Sequence, residues 1–330
     1  MFNPMMNMAM FMLLLSTTLV VLSSSWLMMW LLMEFNMMMF IPFLNFKIMN
    51  NEVEASIKYF LAQATGSAIL IFSTIPINPN YYSYYMLLFA LFMKIGSAPC
   101  YFWFVSVMKA SNWMTCSLLM TWQKLAPLYM MSKISLSLNF MFMLVSLANI
   151  LIGGMFGLNQ SSMKSLLAYS SVSHLGWMMM LMHHTCMMSM WKYLTIYLMI
   201  LMPLCCMMIK MSPKNNNQLF NISIMNNTSS ILMSIMLLSL AGVPPLSGFL
   251  LKLMALFPIT LLNMNHSIIM VMFSIFSLYM YLSLMLPGTL ITNISTKLYS
   301  YKMMMKVSLM NMFLIPAILI LYAMTIFNKP

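Results

Sequence analysis

Residues 229–262 read SSILMSIMLLSLAGVPPLSGFLLKLMALFPITLL. The run is almost wholly apolar, yet its centre is Gly242-Val243-Pro244-Pro245-Leu246-Ser247-Gly248. Proline removes a backbone donor and pushes its predecessor out of helical geometry, so the run is one apolar segment broken in the middle. Lys252 follows seven residues past Pro245 and four past Gly248, on the same face of the resumed helix. Free backbone at membrane depth is tolerated where it is buried in protein or lines a wet cavity. A broken apolar helix with a lysine beside the break therefore predicts a membrane protein with an internal polar site.

The rest of the chain agrees. Of 330 residues, 63% are apolar and 5% charged, against about 25% charged in soluble domains. The mean hydropathy is +0.92. All 15 basic residues are Lys, and the three acids are Glu34, Glu52 and Glu54. The net charge of +12 comes from lysines scattered singly between apolar runs, a pattern that excludes a nucleic-acid groove. Five cysteines (Cys100, Cys116, Cys186, Cys205, Cys206) have no metal-ligand spacing and read as small buried apolar residues. The 51 Met point to a coding bias. No Lys precedes Lys47, so neither a basic signal peptide nor an Arg-rich transit peptide is expected.

A spanning helix needs about 20 mostly apolar residues. Eleven segments qualify: 5–23, 25–45, 57–75, 82–98, 113–131, 136–157, 166–185, 190–211, 229–262 (broken), 266–288 and 306–326. They predict an all-α, polytopic transmembrane bundle forming a single membrane domain over 1–330, with no soluble domain and no β-barrel. Eleven spans put Lys47, Lys58, Lys109, Lys164, Lys210, Lys214, Lys297, Lys302 and Lys306 on the N-terminal side and Lys133, Lys192 and Lys329 opposite. The bias predicts an N-terminus facing the compartment of synthesis.

Lys94, Lys124, Lys252 and Glu34 remain inside spans. Each costs about 2.5–3.5 kcal/mol at a helix centre on insertion scales, which makes each a functional candidate. For Lys94, snorkelling to the headgroups is the other reading. Lys94 lies five residues before a second helix-breaking proline, Pro99. Two broken helices bearing ions, one in each half, match transporters built from inverted repeats. Glu34, read as the one buried acid, is expected to meet Lys94 across the second and fourth spans. Ser170, Ser173, His174 and Trp177 form a polar stripe at helical spacing. His174 reads equally as a proton relay or as a hydrogen-bonded core histidine. His183-His184 reads as interfacial and His266 as a loop residue.

Several stretches carry a resemblance. They are Met33-Glu34-Phe35-Asn36, Glu54-Ala55-Ser56-Ile57-Lys58-Tyr59-Phe60-Leu61, Thr121-Trp122-Gln123-Lys124-Leu125-Ala126-Pro127, Gly157-Leu158-Asn159-Gln160, Ala168-Tyr169-Ser170-Ser171 with His174-Leu175-Gly176-Trp177, and Gly242 to Phe249 with Lys252. In this order they resemble the chain 2 subunits of mitochondrial NADH:ubiquinone oxidoreductase (respiratory complex I), over about residues 20–285. The resemblance implies an antiporter-like, proton-translocating inner-membrane subunit with eleven spans and a matrix-side N-terminus. It implies proton-transfer roles for Glu34, Lys94, Lys124 and Lys252. Partners would be other complex I subunits, neighbouring antiporter-like ones above all, and inner-membrane lipids. It implies no cofactor in this chain: NADH, FMN, iron–sulfur clusters and ubiquinone belong to other subunits. The chain departs from the family at Cys100-Tyr101, where Phe-His is usual, at Ser283, where Arg is usual, and at Lys164-Ser165, where Arg-Lys is usual. The alternatives are a cation/proton antiporter subunit of a related bacterial system and a scaffold without an ion path. A haem or copper subunit is disfavoured, since His174, His183 and His184 share one helix.

Overall fold

The computed structural model describes residues 4–45, 49–75, 81–134, 139–183, 187–211, 227–244, 246–262 and 264–292. Among these, all regular structure is helical. The helices are α1 (Pro4–Leu22), α2 (Trp26–Leu44), α3 (Asn50–Thr74), α4 (Tyr81–Ile95), α5 (Phe102–Ala110), α6 (Trp113–Met120), a 3-10 turn at Trp122–Lys124, α7 (Leu125–Ile134), α8 (Asn139–Leu158), α9 (Met163–His183), α10 (Met187–Met211), α11 (Asn227–Ala241), α12 (Ser247–Leu262) and α13 (Met264–Thr292). Six of them, α1, α2, α3, α8, α10 and α13, are long and apolar enough to cross a membrane unaided. Every predicted span up to 266–288 carries helix; the eleventh, 306–326, lies outside the described residues.

The remaining spans fall short for physical reasons. The expected span 113–131 is two helices joined by a 3-10 turn. Pro127 has no N–H to offer the Gln123 carbonyl four residues back, and Thr121 leaves the helical path at φ −112, ψ −76. The segment after Pro99, read as a connection, forms α5. The third span starts at Asn50 instead of residue 57, taking Glu52, Glu54 and Lys58 into helix α3. His266, expected in a loop, is in the first turn of α13. Cys116 and Cys205 are buried as expected, but Cys206 is exposed and Cys100 half-buried; Cys186, His184 and Pro245 lie outside the described residues.

The chain forms two compact units, 1–187 and 188–330. In the first, α3 packs against α2, α4 and α5, while α8 and α9 make the most extensive pairing. In the second, α11, α12 and α13 pack on one another, and Tyr197 of α10 lies near Tyr281 of α13. Lipid tails are as apolar as leucine, so packing between spans rests on close approach and polar contacts. Glycines provide that approach at α8–α9. A Cβ on Gly153 would sit 2.6 Å from the Tyr169 carbonyl oxygen, and one on Gly176 2.7 Å from that of Ser146. These are backbone atoms of the neighbouring helix, so neither clash is relieved by a rotamer. Gly153→Val is expected to cost about 1–3 kcal/mol or more by overpacking. The steady-state level of the membrane-inserted chain should fall several-fold on immunoblots.

Contacts also sort the helix ends. Lys133 Nζ donates to the Ser23 carbonyl at 3.1 Å, and Tyr129 Oη donates to Val21 at 2.8 Å, which joins the end of α7 to the α1–α2 turn. Lys164 Nζ donates to the Ser111 carbonyl at 2.6 Å, and Asn112 hydrogen-bonds Glu52. The starts of α3, α6 and α9 therefore meet at the other end of the unit.

Candidate functional site

The α4 helix stops at Gly96, whose φ of +73° is open to glycine and strained for other residues. The Gly96 N–H bonds back to Met93 and the Ser97 N–H to Phe92 at 3.3 and 3.1 Å, the Schellman closure of a helix. Orphan groups left by the break find side chains from other elements. The Met93 carbonyl accepts Trp103 Nε1 at 2.9 Å, and the Lys94 carbonyl accepts Gln63 Nε2 at 2.9 Å. The Ala98 N–H donates to Asn149 Oδ1 at 2.6 Å. Pro99 lies in the turn between α4 and α5.

This frame fixes Lys94, 4% exposed. Its ammonium stands 3.4 Å from Glu34 Oε1 of α2, the expected approach of the second and fourth spans. Gly66 makes room for the lysine stem, since a Cβ there would lie 3.1 Å from Lys94 Cγ. A buried lysine paired to a carboxylate is not a snorkelling one. Glu34 itself is only partly buried, its side chain 22% exposed, and the buried acid is Glu52, expected in a loop and 3% exposed.

Lys124 ends the 3-10 turn and is 3% exposed. Its Nζ donates to the Ser171 carbonyl of α9 at 3.3 Å and lies 5.3 Å from the Phe104 ring centre. The stripe of Ser170, Ser173, His174 and Trp177 is buried throughout. The Ser170 and Ser173 hydroxyls donate to the carbonyls three residues back. His174 follows Ser171 by one helical turn.

One cavity touches both lysines. It is lined by Lys94, Lys124, Asn36, Tyr59, Gln63, Gln123 and apolar side chains around them. About 20 Å³ is open to a water's centre, and a water needs about 10–15 Å³. Asn36 Oδ1 and Gln123 Nε2 are buried with no hydrogen-bond partner among the described residues. One is an acceptor and the other a donor, both on the wall of this cavity. The arrangement suits a bridging water that links two ammonium groups which could not meet directly.

Lys252 occupies a separate site in the second unit. The α11 helix closes on Gly242, φ +83°, with the same pair of hydrogen bonds: Gly242 to Ser239 at 3.2 Å and Val243 to Leu238 at 3.3 Å. Lys252 Nζ reaches back from α12 to the Ala241 carbonyl at 2.7 Å. The negative end of the α11 dipole thus faces a buried ammonium. A Cβ on Gly242 would come within 2.9 Å of Lys252 Cε, and one on Gly248 would fall on the Ser239 carbonyl. Pro244 is exposed in the turn.

Sequence reasoning missed Gln63, Trp103, Asn149, Asn36 and Gln123 as parts of this site. The signal was available for the amides: Gln63 and Asn149 are polar residues in the middle of apolar helices, as costly there as their partners are necessary. No cluster of three His, Cys, Asp or Glu side chains that could hold a metal occurs among the described residues.

Comparison with known proteins places this geometry. Residues 76–280 match the family described as NADH:quinone oxidoreductase/Mrp antiporter, TM. The NADH-ubiquinone oxidoreductase chain 2 of Lumbricus terrestris is 37% identical over 295 residues, covering 87% of each chain. That of Dugong dugon is 38% identical over 288 residues, covering 82% of this chain and 81% of the relative. In fold, the chain is similar to one of respiratory complex I from Thermus thermophilus with a TM-score of 0.83 at 19% identity, covering 97% of this chain and 79% of that one. A chain of the Mrp complex from Dietzia is similar with a TM-score of 0.73 at 17% identity, over 82% of this chain and 59% of that one. With relatives this similar over most of its length, the chain belongs to the NADH-ubiquinone oxidoreductase chain 2 family.

Proposed function

We propose that Glu34, Lys94 and Lys124 pass protons along one path, with Lys252 as a further proton-carrying group and His174, one turn along α9 from the carbonyl that holds Lys124, as a relay. The observation that carries this reading is the cavity shared by Lys94 and Lys124, walled by unpartnered amide atoms of Asn36 and Gln123. A proton needs a chain of groups that can both donate and accept, and a water held between two lysines supplies one. Glu34 acts as the switch. When it stands beside Lys94 it holds the ammonium charged; when they separate, the desolvated ammonium has lost the charge that offset its burial and yields its proton. As a chain 2 subunit of complex I in the inner membrane, the protein has other complex I subunits as partners, and its work is proton translocation coupled to electron transfer. NADH, FMN, iron–sulfur clusters and ubiquinone belong to those other subunits. The lysine distribution supports a matrix-side N-terminus, and the likeness of the Gly96 and Gly242 closures supports a repeat within one membrane domain.

Lys94→Met tests this reading. In assembled complex, proton pumping and NADH:ubiquinone turnover should fall by about a hundredfold or more, the scale expected for losing a proton-transfer group. Glu34→Gln should slow pumping more than it lowers the amount of assembled complex. Normal pumping by the assembled Lys94 variant would remove the lysine from the path.

A further inference from the structure

We propose that Glu52 and the buried polar face of α3 form the route by which protons reach Lys94 from the end of the membrane where α3 begins. The inference rests on the reading of Lys94 as a proton-carrying group. Along α3, Glu52, Ser56, Tyr59 and Gln63 follow at spacings of four, three and four residues, so they lie on one helical face. All four are buried, at 3%, 6%, 2% and 8% exposure. Residues between them, such as Val53, Ile57, Phe60 and Leu61, are exposed and apolar. The helix thus turns a polar face with one acid inward, while its outer side over this stretch is apolar apart from the exposed Glu54–Lys58 ion pair near its start. Buried polar residues in a spanning helix mark pathways.

The two ends of this face are where a route needs them. Glu52 lies in the first turn of α3, next to the exposed Asn50 and Asn51, so water at that end is one layer away. Its carboxylate is held by Asn112 at the start of α6. At the far end, Tyr59 and Gln63 line the cavity that contains Lys94, and Gln63 donates to the Lys94 carbonyl. Tyr59 is wedged between Phe40 and Trp103, with ring centres 5.1 and 5.9 Å away. At about 1.5 Å rise per residue, the face covers about 16 Å in steps of about 4.5–6 Å. One water accepting from one group and donating to the next bridges about 5.6 Å. A proton taken from water protonates the Glu52 carboxylate, leaves it along this face for a neutral Lys94 amine, and the carboxylate is regenerated.

The plainer role for Glu52 is a clasp that holds Asn112 and nothing more. Two variants in assembled complex separate the two roles. Glu52→Gln keeps the size and the acceptor for Asn112 but cannot carry a proton. Glu52→Asp keeps the acid. We expect the Gln variant to pump several-fold more slowly at normal complex content. The Asp variant should retain most activity, and formate, a small diffusible acid, should restore the Gln variant. Pumping by the Gln variant at the unmodified rate would overturn the route, as would a deficit that formate leaves untouched and that follows lost assembly. Lys94→Met keeps this outcome apart from the reading beneath it. If that variant is dead and Glu52→Gln is normal, only the route fails; if it pumps normally, both fail.

Discussion

Lys252→Met should abolish proton pumping by the complex while leaving the chain assembled. The lysine sits at the negative end of α11 with its Nζ 2.7 Å from the Ala241 carbonyl, in space that a side chain at Gly242 would crowd. Removing it leaves that buried carbonyl without its donor, at a cost of about 1–3 kcal/mol. The rest of the α11–α12–α13 packing is untouched, so assembly survives. What is lost is a group able to gain and release a proton, and proton-transfer groups are worth about 10²–10⁴-fold in rate. Lys252→Arg sharpens the test. Guanidinium keeps the hydrogen bond but holds its proton permanently, so the Arg variant should assemble and still fail to pump. Pumping measured by pH-sensitive dyes in sealed inner-membrane vesicles, with complex content from native gels, separates the two effects. Normal pumping by either assembled variant would remove Lys252 from the proton path.

Gly248→Ala should be worse for the protein than any of the charge changes. Its added methyl would fall on the Ser239 carbonyl oxygen of α11, a backbone atom that cannot turn aside. The α11–α12 crossing would have to open, carrying Lys252 away from Ala241. Small residues let backbones approach in membranes, and here a single methyl is too much. The expected result is near-complete loss of the subunit from intact complex on native gels. A fully assembled, active Gly248→Ala variant would show that α12 approaches α11 elsewhere.

The charges were legible in the sequence because a charge within an apolar run has few explanations. Glu34, Lys94, Lys124 and Lys252 stood out on that ground alone, and the Glu34–Lys94 approach followed from each needing a partner. The break at Thr121–Lys124 was not legible in the same way. Its segment has no glycine, and Pro127 lies within the first turn of α7, where proline is at home. The α5 helix escaped because nine residues are too few to span, so it read as connection. The neutral amides escaped for another reason. Whether Gln63 faces lipid or the Lys94 carbonyl depends on how α3 is rotated against α4, which is set by packing and not by any local pattern. Glu52 escaped because nothing near it in sequence distinguishes a solvated first-turn acid from one folded under Asn112.

The turn that carries Lys94 is held by Gln63, Trp103 and Asn149, reaching in from three other helices. Two carboxamides and an indole have no proton to gain or lose at any pH a cell meets. The mounting of Lys94 is therefore blind to the ions it serves. A change of charge on Lys94 or Glu34 would leave the hydrogen bonds of the bracket around them as they are. On the proposed path, every proton would meet the same geometry as the one before, and a displacement of Lys94 from Glu34 would have to arrive as a mechanical pull on a helix, not as a change in the bracket's own protonation.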